Sequence, residues 1–197
     1  MTSPYFTIGH GTRSLSEFID LLRDSAVDLV VDVRSMPRSR TNPQFNHETL
    51  PGALAPSQIG YEHIAELGGL RGKQRLAQPS PNGLWRVRSF RNYADYALTD
   101  PFATGLARLR DLGTRRRCAI MCAETLWWRC HRRLIADDLL AAGDSVFHVL
   151  GKSHVDAAQL TPGAVVRDDR KVVYPVPSSA DEVGSSAGGL PRQPPPG

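Results

Sequence analysis

Between Cys122 and Arg133 the chain gathers Cys122, Glu124, Arg129, Cys130, His131, Arg132 and Arg133, so that two of its three cysteines share one short segment. A thiol is a nucleophile only as the thiolate, and a neighbouring Arg or His, or the positive end of a helix dipole, favours that form. Cysteine with histidine is also a ligand set for zinc or iron, and a carboxylate beside them can move protons. The segment reads as an active-site loop, with Cys122 or Cys130 as nucleophile, His131 or a more distant His10 as base, and Glu124 as general acid or base.

These groups work only if the elements around them bring them together. The apolar run Cys118-Ala119-Ile120-Met121 reads as a strand that feeds, through the loop, a helix over residues 127–142. That would put Cys130, His131 and Arg132 in the helix's first turn. Near the N-terminus, residues 5–8 read as a strand broken by Gly9-His10-Gly11. Ser14 and Glu17 fit a capping box for a helix carrying Leu15, Phe18, Ile19 and Leu22 at helical spacing. Residues 28–33 are almost continuously apolar and β-branched, as a strand covered on both faces must be. Strand, helix and strand predict a right-handed βαβ unit with a parallel pair. The expected fold is an α/β three-layer sandwich with a mostly parallel sheet, Rossmann-like or rhodanese-like. The carboxyl ends of such strands open onto one crevice, which here receives His10 from the first strand, Asp32 and Arg34 from the second, and Cys122 and Glu124 from the third.

From Arg34 to Leu84 the pattern weakens under repeated prolines. It reads as a long excursion with short helices near residues 46–54 and 61–66, and long irregular segments inside a domain are usually functional or mobile. Asn92 would cap a helix over 93–98, and Pro101 would open the next. A single domain over 1–177 is expected, and the Ser/Gly/Pro-rich stretch 178–197 has the composition of a disordered tail.

Several residues have equally simple structural readings. Cys118 shares a strand face with Ile120 and suits a buried apolar position. Cys130 suits the underside of a helix as well as it suits catalysis. Arg34 would pair with Asp32 or Glu124 as readily as with substrate. Tyr93 and Tyr96 read as core, Arg38 and Arg40 as a solvated loop, and Gly68-Gly69-Leu70-Arg71-Gly72 as a turn, because it lacks the lysine of a phosphate loop.

The same residues carry a family resemblance. Thr7-Ile8-Gly9-His10, Val31-Asp32-Val33-Arg34-Ser35, Phe45-Asn46, Glu66-Leu67-Gly68-Gly69, Phe90-Arg91-Asn92-Tyr93-Ala94-Asp95-Tyr96, and Cys122-Ala123-Glu124 through Cys130-His131-Arg132 resemble the DUF488 family, in order from Thr7 to His148. The resemblance implies a fold rather than a reaction, since the family is one of unknown function. Many members carry proline where this chain has Trp127. A second likeness is to the order of elements in rhodaneses, which implies that Cys122 is a sulfur-carrying nucleophile. The loop glycine and the arginine pattern of that family are missing here.

Composition narrows the setting. The formal net charge is +4, and most of the basic residues are Arg, which suits bidentate recognition of phosphate or carboxylate. No run is long enough to span a bilayer and no signal-like segment opens the chain, so a cytoplasmic protein is expected, without a membrane partner. An odd number of cysteines is no disulfide framework. Three functions remain open. The first is a thiol enzyme in which Arg34 and Arg132, with Asp32, hold an anionic substrate. The second is a zinc or iron enzyme with ligands from Cys122, Cys130, His131 and His10. The third is a non-catalytic nucleotide or nucleic-acid binder using Arg34, Arg38, Arg40, Arg132 and Arg133.

Overall fold

Strand β2 (Leu29–Asp32) has no exposed residue, and its alternate side chains serve two different cores. Leu29, Val31 and the following Val33 face one cluster, and Val30 faces the other. A strand with this pattern must lie in the middle of a layered structure. In the computed structural model, which describes residues 3–176, β2 sits in a six-stranded sheet. Its companions are β1 (Tyr5–Gly9), β3 (Gly60–His63), β4 (Cys118–Cys122), β5 (Val146–Gly151) and β6 (His154–Ala157), in the order β3-β2-β4-β1-β5-β6. The first five are parallel, and β6 runs antiparallel to β5.

Helices cover both faces. On one side, α1 (Leu15–Asp24) and the short α2 (Leu50–Leu54) bury Phe18, Leu21, Leu22, Leu50 and Leu54 against Phe6, Ile8, Ala119 and Met121. On the other, α3 (Arg88–Ala97), α4 (Asp100–Gly113) and α5 (Arg132–Ala141) pack Tyr93, Phe102, Leu109, Leu134, Ile135 and Leu139 on Val31, Cys118 and Ile120. The expected three-layer α/β sandwich is present. The Ser14 side chain accepts from the Glu17 amide and caps α1 as expected, while the Glu17 carboxylate pairs with Arg13 and does not complete a capping box. A separate ribbon of β7 (Val165–Val166) and β8 (Val172–Val173) is too short to leave a sequence signal. No helix among the described residues is long and apolar enough to cross a membrane. The stretch 178–197, expected to be disordered, lies outside the described residues.

Four local expectations are corrected. β1 and β2 are parallel but not neighbours, because β4 hydrogen-bonds to both. Residues 61–66 do not form a helix. Gly60–His63 is the edge strand β3, aligned with β2, and its alternation puts the Tyr61 hydroxyl on Asp32 and pairs Glu62 with Arg108. Only 50–54 of the expected helix over 46–54 is α-helical, preceded by a single turn at Pro43–Phe45. Asn92 does not cap a helix, since α3 begins at Arg88 and Asn92 donates to the carbonyl of Arg71.

The connections explain why the sheet has a crevice. The chain leaves β1 through α1 on one face and reaches β2 to one side. It leaves β4 through α5 on the other face and reaches β5 to the opposite side. Adjacent parallel strands whose crossovers depart in opposite directions open a cleft at their carboxyl ends, which here is the seam between β1 and β4.

Candidate active site

The β1–β4 pairing continues past the strands. The His10 amide donates to the Cys122 carbonyl at 2.9 Å and the Gly11 amide to the Ala123 carbonyl at 3.0 Å. The loop after β4 therefore lies directly on the end of β1. A Cβ on Gly9 would fall 2.0 Å from the Glu124 carbonyl oxygen, so only glycine permits this approach. The Glu124 side chain accepts from the Leu126 amide at 3.0 Å and shapes the loop, while the residue lines the cleft.

The loop does not run straight into the helix. Trp127–Arg129 form a single 3-10 turn, and α5 begins only at Arg132, with His131 as its N-cap residue. Cys130 thus precedes the helix rather than sitting in its first turn, in extended backbone with φ −125° and ψ 146°, and no proline at position 127 sets an earlier start. Its low pKa has a different origin from the helix dipole. The Arg132 Nε donates to the Cys130 sulfur at 3.2 Å, and the His131 Nδ1 lies 3.6 Å from it. Burial pushes the Cys130 thiol up, but the S–H of Cys122, the Arg132 guanidinium and His131 outweigh it and hold Cys130 well below the usual thiol range. The neighbouring thiol moves the other way: the nearby Cys130 sulfur, together with burial, pushes Cys122 up.

The tautomer of His131 follows from its other contact. Nε2 lies 3.0 Å from the Val33 carbonyl oxygen, which can only accept, so Nε2 carries a hydrogen and Nδ1 is the ring atom left to share a proton with the Cys130 sulfur. A Cβ on Gly69 would sit 2.4 Å from that Nδ1. The glycine pair that reads as a simple turn is therefore what lets the excursion cover the imidazole.

His10 is placed differently. Its Nδ1 donates to the Gly11 carbonyl at 2.9 Å, its Nε2 takes Arg34 Nη1 at 3.3 Å, and its ring stacks on Phe45. Both nitrogens are engaged, with Nε2 on Arg34, and burial lowers its pKa to about 4. Arg34 also donates Nε to Asp32 and Nη2 to Asp32 and to the Phe45 carbonyl. Asp32 is fully buried and takes the Tyr61 hydroxyl as well. Of the five guanidinium hydrogens of Arg34, one on Nη1 remains for a ligand.

These groups border a pocket of about 320 Å³ lined by Arg34, Met36, Glu124, Arg129, Cys122, Cys130 and His131 among others, a size that suits a small ligand. Arg132 is 1% exposed, with Nη2 bonded to the Glu124 carbonyl. It acts on Cys130 from behind and does not line the pocket. Neither Arg132 nor Asp32 presents a group to a substrate here. Arg133 is likewise buried, donating to Thr161, and Arg38 pairs with Glu48 at the surface. The other walls, from Leu70, Phe90 and Tyr93, come from the excursion and α3. Sequence reading missed them because no periodicity links those segments to β4. Cys118 is a buried core residue, with its thiol raised to about 12 by burial.

The donor atoms of Cys122, Cys130 and His131 all lie within 4.8 Å of one another. Two sulfurs and an imidazole nitrogen facing a pocket are a set that zinc or iron could bind while keeping an open position. His10 and Glu124 are not part of this cluster.

Comparison with curated proteins and with solved structures returns no match, so the rhodanese likeness rests on the order of elements alone. A family model does match. Described as a domain of unknown function, it covers residues 14–139, from the cap of α1 into α5 and across Arg34, Gly69, Cys122, Cys130 and His131, and the chain belongs to that family, DUF488.

Proposed function

We propose that the protein is a cysteine-centred enzyme, a thiol-dependent transferase or hydrolase acting on an anionic substrate, with Cys130 as its nucleophile. One observation carries the reading: the Cys130 sulfur lies between the Arg132 Nε and the His131 Nδ1, at 3.2 and 3.6 Å, in the wall of a pocket. The thiol gives its proton to Nδ1 and attacks an electrophilic carbon of the substrate. The S–C bond forms, the bond to the leaving group breaks, and the leaving group departs with the proton held on His131. Water or an acceptor then displaces the group from sulfur and returns a proton to Nδ1. Cys122 keeps its proton and donates to the thiolate. The free hydrogen of Arg34 and the exposed Arg129 hold the anionic part of the substrate, and Glu124 is placed to move a proton at the pocket wall.

The test is the rate of alkylation by iodoacetamide against pH, with the labelled residue identified by mass spectrometry. The expected result is label on Cys130 with a midpoint well below the ordinary thiol value of about 8.5. A midpoint at that value, or first label on Cys122, overturns the proposal.

The mutual distances of Cys122, Cys130 and His131 favour a second reading, in which these residues bind zinc or iron and the metal supplies Lewis-acid chemistry at the same pocket. Elemental analysis of protein purified without chelator or histidine tag separates the two. Near-stoichiometric metal, lost in Cys122→Ser, assigns the cluster to a metal, and metal-free protein with a depressed alkylation midpoint assigns it to the thiolate.

A further inference from the structure

The positive charge of this protein is concentrated in one place. Residues 71–94 contain six of the 24 Lys and Arg and no Asp or Glu, so the rest of the chain, with 18 basic residues against 20 acidic, is net acidic. Elsewhere many surface arginines pair with carboxylates, among them Arg108 with Glu62, Arg110 with Asp144, Arg115 with Asp111 and Arg116 with Asp28, and those without such a partner among the described residues, such as Arg23, Arg40 and Arg129, are scattered along the chain. Within 71–94 only Arg71 is engaged, with the carbonyls of Ala65 and Gly68 and over the ring of Tyr96. Lys73, Arg75, Arg86, Arg88 and Arg91 are exposed and, among the described residues, have no carboxylate partner. Keeping so many like charges together without counter-charges costs stability, and an anionic partner removes that cost.

Four of these cations, Lys73, Arg75, Arg88 and Arg91, line a groove of about 700 Å³ between the excursion and α3. The one carboxylate there, Asp95, is 6% exposed and accepts from the Ser80 hydroxyl and the Asn82 amide. It holds the excursion to the helix rather than neutralising the arginines. The groove and the Cys130 pocket are lined by neighbouring residues of the same two segments. One side of α3 presents Arg88, Arg91 and Asn92 to the groove, and Ser89, Phe90 and Tyr93 line the pocket. The excursion likewise passes from Gly69 and Leu70 at the pocket to Lys73 and Arg75 in the groove. Leu70 and Met36, 76% and 70% exposed, make the pocket mouth apolar. A ligand lying across both sites would put consecutive phosphates on the cations and an apolar group such as a base in the pocket.

We propose that the groove of Lys73, Arg75, Arg88 and Arg91 binds the backbone of a single-stranded nucleic acid and leads one of its bases to the Cys130 pocket. The inference deepens the thiolate reading by naming the substrate class. Four cations tracking a strand are what phosphodiester recognition requires, with affinity driven by counter-ion release.

The test is fluorescence anisotropy of a labelled single-stranded oligonucleotide with the full chain, repeated with the matching duplex and with unlabelled mononucleotide as competitor. The expected result is binding that weakens with salt at a log–log slope of about −3 for four phosphate contacts. The duplex should bind more weakly, and the Arg75→Glu, Arg91→Glu double variant should lose about tenfold or more in affinity at an unchanged thermal midpoint. Absence of binding at low salt, a slope near that of one contact, or indifference to the double variant overturns the proposal. Competition by equimolar mononucleotide also overturns it and identifies a small nucleotide as the ligand. Anisotropy does not depend on the thiol. Strand binding with an ordinary thiol pH profile therefore removes the thiolate reading alone, and a depressed midpoint without strand binding removes the groove alone.

Discussion

Arg132 points away from the pocket, and its Nε donates to the Cys130 sulfur at 3.2 Å. A guanidinium that would be a substrate clamp at the surface becomes, when buried, a fixed counter-charge for a thiolate. In the thiolate reading proposed above, a counter-charge fixed by burial would prepare the nucleophile before substrate arrives.

Replacing Arg132 with Met keeps the apolar volume and removes that charge. The Cys130 alkylation midpoint should then rise by about one pH unit or more, and the rate at pH 6 should fall about tenfold. An unchanged midpoint would assign Arg132 to the Glu124 carbonyl alone.

Asp32 holds Arg34 in place while fully buried. Asp32→Asn leaves a buried guanidinium without its counter-charge and should cost about 3–5 kcal/mol of unfolding free energy in a urea titration. A loss below about 1 kcal/mol would mean the pair is solvent-relaxed, as surface pairs are.

Acid should destabilise the protein through His10 and His148. Burial lowers His10 from 6.5 to about 4, and burial with the charges of Arg132 and Arg133 lowers His148 to about 3. Both histidines stay neutral in the folded protein at a pH where the unfolded chain protonates them. Their contribution is complete above pH 6.5 and is lost as pH falls through 6.5 toward 4 and 3, at up to about 1.4 kcal/mol per pH unit for each. Stability measured in urea at pH 7 and pH 5 should differ in that direction, and replacing both with Gln should flatten the slope.

Gly69→Ala places a methyl group 2.4 Å from the His131 Nδ1. The ring must turn and give up the Val33 carbonyl, so the alkylation profile of Cys130 should move to higher pH with a stability loss of about 1–3 kcal/mol. Reactivity that follows the wild-type profile would show that His131 is not the base.

The strands β1, β2 and β4 and the helix α1 were legible because each carries its own signal: an apolar run, an alternation, a capping box. The grouping of His10, Arg34 and Cys122 at strand ends followed from those signals and the geometry of parallel sheets. Strand β3 was not legible, since Gly60–His63 is a strand only because the edge of β2 offers it hydrogen bonds. The groove was hidden for a related reason, as Lys73 and Arg88 share no periodicity and meet only across folded chain.

The sequence by itself determined that Cys122, Glu124, Cys130 and His131 lie near the end of one strand, because they cannot move far from β4 within so short a loop. Tertiary structure decided what each does. Burial made Arg132 a partner of the Cys130 sulfur and His10 a hydrogen-bond partner of Arg34, and the Val33 carbonyl chose the His131 tautomer. Such roles depend on which atoms are desolvated and which lone pairs are already taken, and both are set by residues distant in the chain.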